Sequence, residues 1–130
     1  MMIRDLNLGI EMTDLVAKVM AQTDAYNRKD LDALLDGLAE DYESWEVGPE
    51  GPNCRARGRD QVGQALAAMF AASGYANSTV EDVRAYGQLA VAIEVDSFDT
   101  ADGRKTMRSL GLYEFRGEEL LRAWSFPLKE

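Results

Sequence analysis

The 130-residue chain contains no histidine and a single cysteine, Cys54. Those two facts remove Ser/His and Cys/His nucleophile pairs, intrachain disulfides and every common zinc site, each of which needs an imidazole or a second thiolate. What remains is the chemistry of carboxylates, phenols, amides and guanidinium groups: proton transfer and hydrogen bonding. Cys54, with no imidazole to activate it, reads as incidental. Nine acids lie between Asp24 and Glu50 against only Arg28 and Lys29. Their spacing sets most of them opposite a row of leucines, as a solvated helix face does. Arg55, Arg57 and Arg59 form a basic spot that balances Glu50 and Asp60 or meets an anionic tail of a ligand. Glu94 and Asp96 alternate with Ala90 and Ala92 along one face of a strand, facing either a polar pocket or its rim. Tyr26, Tyr42, Trp45, Trp124 and Phe126 supply aromatic surface for a ligand or for a plain core. The glycines form no phosphate-binding fingerprint; Gly103 and Gly117 sit in turns.

These groups must be held by elements whose periods the sequence displays. Residues 1–12 carry no firm period and read as an arm, with one domain over 13–130. From Thr13-Asp14, a capping signal, Leu15, Val19 and Tyr26 recur at helical spacing up to Asn27. After the corner Asn27-Arg28-Lys29, Asp30 caps a second helix in which Leu31, Leu34, Leu35 and Leu38 follow the i, i+3, i+4, i+7 rule. Tyr42 to Val47 reads as a short strand stopped by Gly48-Pro49, followed by a loop through Gly51-Pro52-Asn53-Cys54. A third helix opens at Gly58-Arg59-Asp60, carries Val62, Leu66, Met69 and Phe70 as its apolar stripe, and ends near Ser73-Gly74. The period then changes to alternation. Ser78–Tyr86, Leu89–Phe98, Lys105–Arg116 and Leu120–Leu128 read as four strands joined by turns short enough to force antiparallel neighbours. In the last, Leu120, Trp124, Phe126 and Leu128 share a face interrupted by Arg122. Helices first and a strand meander after define an α+β domain with its helices on one side of the sheet.

Composition narrows the classes further. With 46% hydrophobic and 28% charged residues the chain is that of a globular protein of one domain. A net charge of −9 argues against a nonspecific hold on nucleic acid or anionic lipid. No apolar run approaches the roughly 18 residues of a membrane span, and the first residues lack a signal-peptide pattern, so a cytoplasmic location is expected.

Four strings in this order, Tyr26-Asn27-Arg28-Lys29-Asp30-Leu31-Asp32, Leu38-Ala39-Glu40-Asp41, Arg57-Gly58-Arg59-Asp60 and Asp102-Gly103-Arg104-Lys105, make residues 14–128 resemble the NTF2-like superfamily, and within it SnoaL-like proteins and ketosteroid isomerases of the cystatin-like fold. The resemblance implies a cone. Three N-terminal helices would pack in the concave face of a curved, mainly antiparallel sheet around a mostly apolar pocket. It also implies homodimers paired through the outer sheet face, and the apolar residues on both faces of the strands, Leu110 and Leu112 against Met107, Tyr113 and Phe115, agree with that.

The fold hosts isomerases, cyclases, dehydratases, epoxide hydrolases and non-catalytic binders, so activity must be argued from the site. By resemblance to ketosteroid isomerases, the carboxylate base falls on Glu46, the helical tyrosine on Gln22, and the later aspartic acid on Gly111 or Leu112. The loss of both acid donors argues against steroid-type isomerisation. Cyclase members use an acid where this chain reads Ala123-Trp124-Ser125-Phe126, and dehydratase members use histidines. An epoxide hydrolase needs an Asp-Arg-Asp set, for which Asp96, Arg108 and Arg122 with Glu46 are the nearest residues. If Trp45 sets the strand register, Val47 enters the pocket in place of Glu46, since a one-residue slip reverses every side chain. The expectation is thus a small, largely apolar molecule bound in the pocket. General acid–base chemistry of the isomerase, cyclase or hydrolase type would rest on Glu46 and Asp96, with Gln22, Tyr26, Tyr42, Trp45, Trp124 and Phe126 at the ligand. No cofactor or metal is expected. The alternative is a non-catalytic ligand-binding or protein-association module, which predicts a pocket plugged by its own side chains.

Overall fold

The structure, a computed structural model, describes the backbone of residues 2–72 and 76–129, and side chains within those ranges from Asp14 onward. Three helices and six strands follow one another as α1 (Met2–Asn27), α2 (Leu31–Asp36), β1 (Leu38–Gly48), β2 (Gly51–Arg57), α3 (Arg59–Ala71), β3 (Ala76–Tyr86), β4 (Leu89–Thr100), β5 (Gly103–Arg116) and β6 (Glu119–Pro127). The helix expected from Thr13 therefore runs back to Met2, over the residues read as an arm. No proline interrupts it and Gly9 is its one glycine. At its other end Lys29 takes a left-handed φ of 56° and turns the chain. Asp30 then caps α2, its carboxylate accepting from the Ala33 N–H at 3.1 Å.

Two boundaries differ from expectation. Leu38 belongs to β1 instead of extending the leucine row of α2, because the Gly37 N–H closes the helix on the Leu34 and Leu35 carbonyls and Leu38 then pairs with Leu120. Residues 51–57, expected as a loop, form β2. The turn at Gly48-Pro49-Glu50-Gly51 folds them back on β1 as a hairpin, with Gly51 at φ 102°. The helix stop expected at Ser73-Gly74 lies outside the described residues.

The strands form one curved mixed sheet in the order β2-β1-β6-β5-β4-β3, antiparallel except for the β1–β6 pair. Its register shifts between Leu38 and Glu43 of β1, which pair with Leu120 and Arg122 of β6, and at three bulges between antiparallel neighbours, each adding one residue to one strand. Arg55 is extra on β2, Glu81 on β3 and Leu121 on β6. Bulges bend and twist the strand that carries them, which curves the sheet around its helices. α1 packs on β3 and β4, and α3 on β1 and β2. Leu15 and Val19 of α1 join Ala85, Ala90, Ala92 and Phe115 of the sheet in one core with Leu38, Tyr42, Val62 and Leu120. Small residues on β4 admit the helix: Ala90 and Ala92 are 0% and 1% exposed.

Candidate functional site

Beyond the alanines, the helix-covered face opens into a cavity of about 600 Å³. Its wall comes from every layer. α1 contributes Gln22, Thr23 and Tyr26; α2 and β1 contribute Leu34, Leu38, Tyr42 and Ser44; α3 contributes Val62, Ala65, Leu66 and Met69; and the remaining strands add Ala56, Ser78, Glu94, Asp96, Tyr113, Leu120 and Ala123, with Arg55 on the edge strand. The bulges explain two pairs that alternation forbids. Arg55 and its neighbour Ala56 both line the cavity because Arg55 is the extra residue, and Leu120 and Ala123 both do so because Leu121 resets the parity of β6.

Specific hydrogen bonds fix the α1 end of the wall. The Asn27 side-chain amide donates to the Ser78 carbonyl and accepts from the Ser78 N–H, each at 2.8 Å, tying the end of the helix to β3. Tyr26, one residue earlier, rests on Phe70 with ring centroids 5.8 Å apart. The Gln22 amide donates to the Leu34 carbonyl at 3.4 Å. It passes so close to Gly37 that any Cβ there would collide with it.

The chemical centre is on β4 and β5. Tyr113 donates its hydroxyl hydrogen bond to the Glu94 carboxylate, and Asp96 follows on the same face of β4. Burial pushes the Glu94 carboxyl above the usual glutamate range, the Tyr113 hydrogen bond pulls it back, and the charge of Asp96 raises it further. Tyr113 is raised well above an ordinary phenol, first by burial and then by Glu94. Burial also lifts Tyr42, to about 12, against a hydrogen bond with Ser44. Tyr26 is raised by burial and then by the negative field of Asp96. The three phenols are therefore neutral donors across the physiological range. Gly111 makes the centre sterically feasible: a Cβ there would overlap the Glu94 carboxylate and lie 2.9 Å from the Tyr113 ring.

Of the residues expected at the site, Gln22, Tyr26, Tyr42 and Asp96 lie in the wall. Glu46 is outside the lining. It falls one alternation beyond Ser44 at the hairpin end of β1, nearly half-exposed, and pairs with Arg55 at 3.4 Å. Trp45 and Trp124 lie on the opposite face of the sheet, stacked with centroids 5.1 Å apart. Phe126, opposite Leu110 on β5, shares that face. The Leu121 bulge thus divides the face expected for β6: Leu120 turns inward while Arg122, Trp124 and Phe126 turn outward. The expected Asp-Arg-Asp set is not assembled, because Arg108 pairs with Glu81 at 2.9 Å and Arg122 with Glu43 and Glu114 at 3.2 and 3.0 Å, all off the lining. Sequence reasoning missed Glu94 and Tyr113 as a pair. The signal was the alternation that set Glu94 beside Asp96; that Tyr113 reaches Glu94 depends on the β4–β5 register and on Gly111. No group of acids and cysteine suited to a metal occurs among the described residues, and no helix there is long and apolar enough to cross a membrane.

Residues 19–123 match the family model described as the SnoaL-like domain. A comparison with curated proteins finds no match. Among solved structures, the chain is similar to an epoxide hydrolase of M. tuberculosis described as LEH-like, with 18% identity and a TM-score of 0.78 over 91% of this chain and 85% of that one. A protein of ketosteroid isomerase-like fold from Catenulispora acidiphila, in complex with trimethylamine, gives 19% identity and 0.70 over 82% of each chain. An NTF2-like protein of unknown function from Burkholderia pseudomallei gives 16% and 0.72 over 88% and 90%. Likeness at these identities concerns the fold.

Proposed function

Because the chain belongs to the SnoaL-like domain family, within the NTF2-like superfamily, we propose that its cavity binds a small, largely apolar molecule and that Glu94 performs general acid–base chemistry on it. The observation that carries this reading is the half-buried Glu94 carboxylate, held by Tyr113 in a cavity otherwise walled mainly by aliphatic and aromatic side chains. A carboxyl whose pKa is raised toward the working pH is suited to both accepting and returning a proton. Tyr113 orients it, and the neutral hydroxyls of Tyr26 and Tyr42 are donors for negative charge that develops on a substrate oxygen. Isomerisation, cyclisation and hydrolysis of a small substrate all fit this apparatus. The small-molecule complex among the similar structures and the epoxide hydrolase among them support a ligand-binding reading over a plugged core.

The test is a thermal-shift screen of wild type and Glu94→Gln with small carbonyl, epoxide and polycyclic compounds. A ligand at about 100 times its dissociation constant adds roughly 2.7 kcal/mol and raises the melting point by several degrees. The expected result is one compound class that stabilises both proteins and is turned over only by the wild type. Stabilisation without turnover in either would favour a non-catalytic binder, and no shift with any class would sink the cavity reading.

A second observation concerns association. The outward face of the sheet carries Val91, Ile93, Val95, Leu110, Leu112, Trp124 and Phe126 on its central strands, all partly exposed, and no described element covers it. We propose that a second copy of the chain pairs there about a two-fold axis, as one self-complementary face allows. Sedimentation across dilution tests it: a stable monomer at micromolar concentration would remove the dimer.

A further inference from the structure

The cavity holds two carboxylates and, on the described residues, no cation placed to neutralise them. Glu94 and Asp96 are two residues apart on one face of β4, so their positions are about 7 Å apart along the strand. One compact cation lying between them can approach both. Their mutual repulsion adds to the pull on Glu94. Elsewhere on the molecule arginines are matched with acids: Arg28 with Asp24, Arg57 with Glu43, Arg84 with Asp82, Arg108 with Glu81, Arg116 with Asp41. No such pair involves Glu94 or Asp96 among the described residues. Among the described residues, Arg55 is the one basic side chain in the wall. It lies on β2, separated from β4 by three intervening strands of the sheet, is 61% exposed, and spends its charge on Glu46.

The rest of the wall suits an organic cation better than a bare ion. Tyr26, Tyr42 and Tyr113 present phenol rings, whose faces attract ammonium groups. Leu34, Leu66 and Leu120 supply the apolar surface that an alkyl or ring body fills. Among the described residues a hydrated metal ion would find two carboxylates here, too few for a dedicated site.

We propose that the ligand of this cavity carries a protonated amine, which sits between Glu94 and Asp96 while its apolar body lies against the aliphatic and phenolic wall. The inference rests on the cavity-binding reading above and narrows it to one substrate class. The amine is held chiefly by Asp96. Glu94, kept in place by Tyr113, faces the same cationic group from its other side.

Three probes of one shape test it by calorimetry: cyclohexylmethylammonium, cyclohexylmethanol and cyclohexanecarboxylate. The ammonium should bind at least about tenfold tighter than the alcohol, and the carboxylate more weakly than either. Asp96→Asn should bring the ammonium down to the affinity of the alcohol and leave the alcohol unchanged, which also reports an intact fold. An alcohol that binds as well as the ammonium, or a carboxylate that binds best, overturns the amine assignment while the cavity reading stands. An ammonium preference that survives both Asp96→Asn and Glu94→Gln overturns it too. Failure of all three probes to bind removes the inference and the cavity reading together.

Discussion

Each face of the sheet holds a glutamate against an aromatic side chain, and the two glutamates end in opposite electrostatic states. On the helix-covered face, Glu94 accepts a hydrogen bond from Tyr113, has a second carboxylate as neighbour, and is raised by burial. On the outward face, Glu43 accepts from the Trp45 indole N–H at 3.1 Å and lies 3.2 Å from Arg122 and 3.7 Å from Arg57. It is lowered, most of all by the indole hydrogen bond. Arg57 also stands over the Trp45 ring, and Arg122 bridges on to Glu114. Residue type is the same in both places, and both stand on strands, Glu94 on β4 and Glu43 on β1. The difference lies in burial, which leads at Glu94, and in the donors around Glu43, first the Trp45 indole and then Arg122 and Arg57. A matched network is a fastening, whereas an acid kept half-buried without a cation is a group whose proton can be moved.

The largest effect expected from this contrast is on turnover. Once a substrate is identified, Glu94→Gln should lower kcat by about 10²–10⁴, and Glu43→Gln should leave it unchanged. Equal losses would place the chemistry outside the helix-covered face. Next in size is Gly111→Ala. The added methyl must displace the Glu94 carboxylate or the Tyr113 ring, and overpacking of this kind costs about 1–3 kcal/mol. Gly48→Ala, at a glycine with open space around it, should stay within about 0.5 kcal/mol. Chemical denaturation distinguishes the two. On the outward face, a double-mutant cycle on the stacked Trp45 and Trp124 should return a coupling of about 0.5–1.5 kcal/mol; a coupling near zero would mean that the stack is contact without energy.

Much of this contrast was legible from residue order, and the remainder has a physical reason for being hidden. Alternation from Leu89 to Asp96 put Ala90, Ala92, Glu94 and Asp96 on one face, and that assignment needs only a period of two. Helical spacing likewise identified Leu15 and Val19. What alternation cannot carry across is a bulge. Leu120 and Trp124 are four residues apart and read as one face, yet Leu121 inserts a step that puts one in the cavity and the other against Trp45. β2 was hidden because Pro52 and Asn53 are poor strand formers, and the hairpin with β1 overrides them. Leu38 fits the leucine row of α2 as well as it fits β1, and only Gly37, which closes the helix, separates the two. The pairing of Tyr113 with Glu94 is tertiary: it depends on a register across two strands and on the missing side chain at 111. Counting along β1 led to Glu46 because a carboxylate near a glycine-proline turn carries the same sequence signal whether it lines a cavity or pairs with an edge-strand arginine.

The smallest effect expected is also the most direct reading of the two faces, because it concerns sign. Both glutamates take the ordinary value of 4.5 as reference, which stands for the unfolded chain. The folded value of Glu94 lies above that reference, so its contribution to stability is full below the reference and is lost as pH rises through the folded value. The folded value of Glu43 lies below it, so its contribution is present above the reference and is lost as pH falls through the folded value. Glutamine ionises in neither place. Urea unfolding of wild type, Glu94→Gln and Glu43→Gln from about pH 3 to pH 8 should therefore give differences that run in opposite directions. The advantage of wild type over Glu94→Gln shrinks with rising pH, above the reference. The advantage over Glu43→Gln grows with rising pH, below it. Two differences of the same sign would mean that Glu94 has a neutralising partner in the cavity, and the distinction between the faces would then be one of packing alone.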